Sequence, residues 1–208
     1  MILGTHPIAA IDVGSNAIRL LVGEVHHTGE VVYLEKVREP VRLGGDVFSR
    51  GKISNEIEEK AVKAFKKFRK KIDDYAVEDI WAVATSAVRE ADNGSAFVKE
   101  IKSKVGIEIE VIDAYKEAEL VQKAVDSKIE CKDKNVLIMD IGGGSVEFIF
   151  LVKDVIKTVD SFPFGTVRSL KNAKKKNQTL KDTLQELKPH LIDFFALLPE
   201  SVDLFVGT

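Results

Sequence analysis

One pattern occurs twice in this chain: an apolar run, an aspartate, one apolar residue, a glycine, a small polar turn and a second apolar run. AAIDVGSNAIRLLV covers residues 9–22 and LIMDIGGGSVEFIF residues 137–150, so Asp12 aligns with Asp140 and Gly14 with Gly142 at one offset of 128 residues. A carboxylate at a strand end can hold a divalent cation directly or through its water shell. The glycines beside it let successive main-chain N–H groups close on an anion as a phosphate-sized nest. Two such turns facing each other would grip neighbouring phosphates with a metal between them. Two ordinary glycine hairpins with solvated aspartates are the plain alternative. The repetition, and the three consecutive glycines Gly142, Gly143 and Gly144, favour phosphate.

Other chemistries find little support. GGDVFSRGKI (44–53) imitates a Walker loop, but five residues separate Gly45 from Gly51 and Ile53 stands where Ser or Thr is needed. There is neither a GxGxxG dinucleotide fingerprint nor a GxSxG nucleophile elbow. His6, His26, His27 and His190 lack metal-ligand spacing, and Cys131 is one thiol in a lysine-rich neighbourhood.

The elements that must position the turns follow from patterning. Residues 8–13, 17–25 and 30–37 read as three strands with short connections, and 42–51 as a loop rich in glycine and charge. Ile57, Ala61, Ala64, Phe65, Phe68, Ile72 and Tyr75 recur at helical spacing, with Asn55 and Glu58 as a capping pair and lysines on the solvated face. From residue 79 the order becomes strand, loop, helix (95–104), strand, helix (115–127), which predicts parallel strands with helical crossovers. Trp81, Phe65 and Phe68 are assigned to the core. At 135–160 the β-runs restart. A Lys-rich loop (171–181), an amphipathic helix (179–198) and a strand (204–206) follow. The reset implies two related lobes, 1–125 and 126–208, the second opening like the first but incomplete.

Composition bounds the partners. The chain has 208 residues, is 45% hydrophobic and carries a net charge of −2, which allows a packed core and provides no overall field for nucleic acid or anionic lipid. A single cysteine, the absence of a basic signal-peptide start and the lack of an apolar run approaching about 18 residues point to a cytoplasmic protein without a membrane segment.

Six blocks occur together and in order: IDVGSNAIRLLV (11–22), VRLGGD (41–46), ATSAVREADN (84–93), VIDAYKEAEL (111–120), MDIGGGSVEF (139–148) and FPFGTVRSL (162–170). Together they resemble the exopolyphosphatase/guanosine pentaphosphate phosphohydrolase family of the actin–hexokinase–Hsp70 superfamily, from Ile8 to about Leu170. The resemblance implies an α/β fold of actin-like, ribonuclease-H-like lobes, each a mixed sheet flanked by helices, around a cleft. It also implies Mg²⁺-assisted attack of water on a phosphoanhydride of polyphosphate or guanosine pentaphosphate, with a homodimer as one allowed assembly. Asp12, Gly14, Ser15, Asn16 and Arg19 match the family's first phosphate loop, and Thr85, Ser86 and Arg89 its ATSAxR segment. Glu117 matches the general base. Asp140, Gly142, Gly143, Gly144, Ser145 and Glu147 match the second phosphate loop, and Gly165 and Arg168 a later segment. In these roles Asp12 and Asp140 serve the metal, while Glu117, Glu147 and Arg89 serve the reaction.

Two departures stand out. Asp113-Ala114-Tyr115-Lys116 replaces the family's run of glutamates, leaving Glu117 with a lysine before it that would lower its pKa. The family also continues beyond Thr208 through a further glycine-rich motif and a helix that complete its second lobe, so that lobe is expected to be incomplete here. The rival functions are a phosphate- or nucleotide-binding sensor or assembly module with little turnover, and an ATP-dependent kinase or ATPase of the same superfamily.

Overall fold

The computed structural model describes residues 6–26, 30–198 and 201–208. It divides into two compact units, Met1–Val111 and Ile112–Thr208. In the first, β1 (Pro7–Val13), β2 (Ile18–Val25) and β3 (Val31–Glu39) form an antiparallel meander. β4 (Asp79–Ala84) then runs parallel to β1, and the two-residue β5 (Glu110–Val111) parallel to β4, giving the order β3-β2-β1-β4-β5.

Period-2 alternation turns Ala9, Ile11 and Val13 of β1 and Ile18, Leu20 and Val22 of β2 to one face, where all are buried. Onto that face pack α2 (Asn55–Asp74) and α4 (Gly94–Val105) through Phe65, Phe68, Ile72, Phe97 and Ile101. Helix α2 is capped by Ser54, whose side chain accepts from the Ile57 N–H, one residue before the expected pair.

Trp81 is a correction. It sits opposite Ala10 on the other face of the sheet and is 74% exposed, because Ala82 and Ala84 take the inward positions of β4. It is also the chain's one tryptophan. Native emission should therefore resemble water-exposed indole and change little on unfolding. Trp81→Ser should shift stability by no more than about 0.5 kcal/mol. Phe68→Ala, which opens a cavity at a fully buried ring, should cost about 3–5 kcal/mol in chemical denaturation.

The second unit repeats the first four strands with the same neighbours and senses. β6 (Asn135–Ile141), β7 (Val146–Val152) and β8 (Val155–Phe162) are antiparallel, β9 (Leu204–Gly207) is parallel to β6, and the order is β8-β7-β6-β9. β7 is buried on both faces, which explains its unbroken apolar run. Ile138, Ile149 and Leu151 meet Ala118 and Val125 of α5 (Ala114–Asp126), whereas Leu137, Phe148 and Phe150 meet Phe194 of α8 (Lys188–Ala196). Helix α5, placed at the end of the first lobe from sequence, thus packs on the second sheet.

Two stretches expected as loops are helices. Residues 42–51 contain α1 (Leu43–Arg50), which buries Leu43, Gly44 and Val47 and ends at Gly51 in the left-handed conformation. Residues 171–176 of the expected 171–181 loop belong to α6 (Thr166–Lys176), which buries Ser169 and Ala173. Glycine count and charge masked both, because one buried stripe suffices to hold a helix whose other sides are polar. The expected helix 179–198 is divided into α7 (Leu180–Gln185), started by a Thr179/Asp182 capping box, and α8, whose Pro189 suits only a first turn.

Candidate functional site

Both aspartate–glycine turns close in the same way. Gly14 N–H donates to the Ala17 carbonyl at 3.2 Å, and Gly142 N–H to the Ser145 carbonyl at 3.0 Å. A Cβ on either glycine would lie 3.2 Å from that same carbonyl oxygen. The repeat therefore extends from residue type to hydrogen bond.

Each turn is then clamped by the helix that follows its third strand. In the first unit the Ser15 and Asn16 carbonyls accept from Gly44 N–H (2.8 Å) and Arg42 N–H (3.1 Å) at the start of α1. In the second, the Gly142 carbonyl accepts from Thr166 N–H (3.0 Å), and the Gly143 carbonyl from Val167 N–H (2.9 Å) and Arg168 N–H (3.1 Å). The Gly144 carbonyl accepts from the Arg168 side-chain Nε–H at 2.6 Å. These bonds satisfy N–H groups that a helix start leaves orphaned. They also commit the carbonyl side of each turn to protein, so the remaining peptide N–H groups form the side an anion can meet.

Glycine supplies thinness here rather than special dihedral angles, since Gly142, Gly143 and Gly144 all avoid positive φ. A Cβ at Gly165 would stand 2.4 Å from Gly144 C and Ser145 N, and one at Gly44 would stand 2.9 Å from Ser15 Cβ. The sequence blocks contained both glycines, but no spacing rule places them against turns that precede them by some 20–30 residues.

The structure joins the first aspartate–glycine turn to the ATSAxR segment. Ser15 and Ser86, 4% and 3% exposed, share a hydroxyl–hydroxyl bond of 3.0 Å, and Thr85 N–H donates to the Val13 carbonyl at 3.4 Å. Ser86 opens the four-residue α3 (Ser86–Arg89), which ends on the half-buried Arg89. Asn16 is exposed.

The two turns differ at one aligned position. Arg19 pairs with Asp12 across β1 and β2, its Nη1 donating to Asp12 Oδ2 at 2.8 Å with both side chains about half exposed. Its counterpart is Glu147, opposite Asp140 across β6 and β7. Glu147 is 1% exposed and accepts from Ser161 Oγ at 2.8 Å, while Asp140 accepts from the Thr208 hydroxyl. The first turn is internally neutralised, and the second sets two carboxylates side by side. Ser161 and Thr208 were not legible as participants, because strand partners 14 and 68 residues away leave no local signal.

Glu117 lies half-buried in the first turn of α5, where Asp113 caps the helix by accepting from Lys116 N–H at 2.8 Å. The ammonium of Lys116 contacts Glu119 at 2.9 Å. Cys131 is buried, and burial together with nearby Asp126 pushes its thiol pKa up, as suits a packing residue. Among the described residues no group of three His, Cys, Asp or Glu side chains is set to hold a metal, and no helix is long and apolar enough to cross a membrane.

Comparison with known proteins accords with this geometry. Residues 22–202 match the model of the Ppx/GppA phosphatase family. Over 167 residues the chain is 38% identical to a bifunctional 3-dehydroquinate synthase/phosphatase of Fusobacterium nucleatum, covering 77% of this chain and 25% of that protein. It is 29% identical to exopolyphosphatase 1 of Mycobacterium tuberculosis, covering 77% and 47%. Among solved structures, an exopolyphosphatase from Cytophaga hutchinsonii superposes with a TM-score of 0.76 at 36% identity, covering 80% of this chain and 53% of the other. An Aquifex aeolicus Ppx/GppA family member gives 0.79 at 26% identity, covering 98% and 66%. The chain thus spans from a quarter to just under half the length of these curated relatives. Twin clamped turns, the strand order around them and the match over most of the sequence place this chain in the Ppx/GppA phosphatase family.

Proposed function

We propose that this chain supplies the phosphate-binding and water-activating groups of a Mg²⁺-dependent phosphoanhydride hydrolase that releases orthophosphate from inorganic polyphosphate or guanosine pentaphosphate. The single observation that carries the reading is the Gly142–Gly144 turn, whose carbonyls are tied to α6 so that peptide N–H groups are left for an anion. The exopolyphosphatases among its relatives point the same way.

Asp140 and Glu147 are hard oxygen donors on adjacent strands, and one or two such carboxylates are what Mg²⁺ uses while keeping most of its waters. The residues present therefore fit the ion, which Asp140 and Glu147 would hold. When bound, Mg²⁺ would neutralise charge building on the transferred phosphoryl group. The N–H groups of the second turn hold that phosphoryl in place. Those of the first turn, with Ser15, Thr85 and Ser86, hold phosphate oxygens, and Arg19 and Arg89 add charge-assisted donors. Glu117 orients a water and takes its proton as the water oxygen bonds to phosphorus. The bridging P–O bond breaks and its electron pair leaves with the shortened chain.

The test is phosphate release. The full chain, incubated with Mg²⁺ and polyphosphate or guanosine pentaphosphate, should liberate orthophosphate, and chelation by EDTA should stop it. Tight polyphosphate binding without release would select the binding-module reading, and dependence on ATP would select the kinase reading.

A further inference from the structure

Four residues cross the second sheet in one row: Thr208, Asp140, Glu147 and Ser161. Glu147 stands opposite Asp140 of β6 on one side and Ser161 of β8 on the other. Thr208 completes the row just beyond β9. Its N–H donates to the Met139 carbonyl at 3.0 Å and its carbonyl accepts from Ile141 N–H at 3.3 Å, one bond on each side of Asp140. Opposite residues share a face, so hydroxyl, carboxylate, carboxylate and hydroxyl line up on the side where α5 packs. Each hydroxyl donates to the acid beside it, Thr208 Oγ1 to Asp140 Oδ1 and Ser161 Oγ to Glu147 Oε1 at 2.8 Å. Asp140 Oδ2 carries no hydrogen bond among the described residues. The matching row of the first sheet is Val83, Asp12, Arg19 and Arg38. It has no hydroxyl, and a guanidinium meets Asp12. The hydroxyl flanks thus accompany the paired acids rather than the repeat. Ser161 and Thr208 are both exposed, so water would satisfy them and the fold does not need these bonds.

We propose that Ser161 and Thr208 are positioning residues that fix the two carboxylates as a rigid ligand pair selective for Mg²⁺ over Ca²⁺. The inference rests on the reading of Asp140 and Glu147 as the metal carboxylates. A donated O–H favours the ionised acid and holds one of its oxygens in place. Two ionised acids can then stand side by side before a cation arrives, an arrangement that is otherwise costly. Rigidity matters most for Mg²⁺, which needs a near-ideal octahedron of oxygens. Ca²⁺ accepts a looser and more variable set, so it gains less from fixed carboxylates.

The test titrates Mg²⁺ and Ca²⁺ by calorimetry into the full chain and into Ser161→Ala and Thr208→Val. Ser161→Thr and Thr208→Ser, which keep the hydroxyl, are the rescuing variants. Kd for Mg²⁺ should rise about tenfold in the alanine and valine variants, the scale of one hydrogen bond to a charged group. Kd for Ca²⁺ should change less than threefold, and the rescuing variants should bind both ions as the full chain does. Melting temperatures without metal should stay within about 2 °C, because both positions are exposed. Unchanged Mg²⁺ affinity in Ser161→Ala and Thr208→Val overturns the positioning role. So does an equal loss for the two ions, or a loss that the rescuing variants share. Hydroxyl-dependent preference for Mg²⁺ in a chain that releases no phosphate supports the positioning role and overturns the hydrolase reading. A full chain that binds no Mg²⁺, even with tripolyphosphate present, overturns both.

Discussion

Gly165→Ala should reduce phosphate binding at least tenfold and destabilise the second unit by about 1–3 kcal/mol, the usual range for forcing a methyl group into a packed site. The new Cβ would lie 2.4 Å from Gly144 C and Ser145 N and 2.5 Å from Gly143 C, all main-chain atoms without a flexible end to swing aside. Either the turn or the start of α6 must therefore retreat, loosening the bonds from Thr166, Val167 and Arg168 to Gly142 and Gly143. The N–H groups proposed to meet the anion move with the carbonyls they share peptide planes with. Gly45→Ala is the control, since nothing lies within 4 Å of its Cβ and it sits inside α1. That change should be neutral or stabilise by up to about 1 kcal/mol. Calorimetric titration with tripolyphosphate, paired with denaturant melts, reads both effects. Unaltered affinity in a folded Gly165→Ala protein would remove the clamp from the account of binding.

The clamps also mark where sequence reasoning stops. The repeat of Asp12-Val13-Gly14 at Asp140-Ile141-Gly142 was legible because residue type and offset are written in the chain, and it carries through to strand order and turn hydrogen bonds. Helix α2 was legible from apolar spacing, and α4 and α5 from the alternation of strand and helix segments after residue 79. The clamping helices α1 and α6 were not, since each hides behind what reads as loop composition: two glycines and charge in one, a lysine cluster in the other. Trp81 was misplaced for a related reason. Hydrophobicity alone suggested a core position, whereas strand parity turned it to the face opposite the helices.

The aligned pair Arg19 and Glu147 gives two copies of one turn different charge. An arginine against Asp12 leaves the first turn near neutrality. A glutamate against Asp140 gives the second a surplus of negative charge, and like charges directly opposite on a sheet are costly unless a cation joins them. Hydroxyls from Ser161 and Thr208 offset part of that cost through hydrogen bonds, and bound Mg²⁺ would offset more. The charge contrast between the turns thus follows from a single difference at equivalent positions.

Glu117→Gln should lower kcat by about 10²–10⁴-fold while leaving polyphosphate affinity within a factor of two, because the amide keeps the shape of the carboxylate and loses only its capacity to take a proton. Its neighbour in chemistry, Glu147, is the weaker candidate for the base. At 1% exposure and hydrogen-bonded to Ser161 Oγ, it is shielded from the solvent that must supply the attacking water. Glu117 is half-buried in the opening turn of α5, where the helix start favours a carboxylate. Losing that charge should cost α5 no more than about 1 kcal/mol, so a large fall in turnover cannot be charged to unfolding. Glu147→Gln should behave differently, raising the Mg²⁺ concentration needed for half-maximal rate. Phosphate release that survives Glu117→Gln undiminished would move the base elsewhere, and a matching loss of polyphosphate binding would make Glu117 a structural residue.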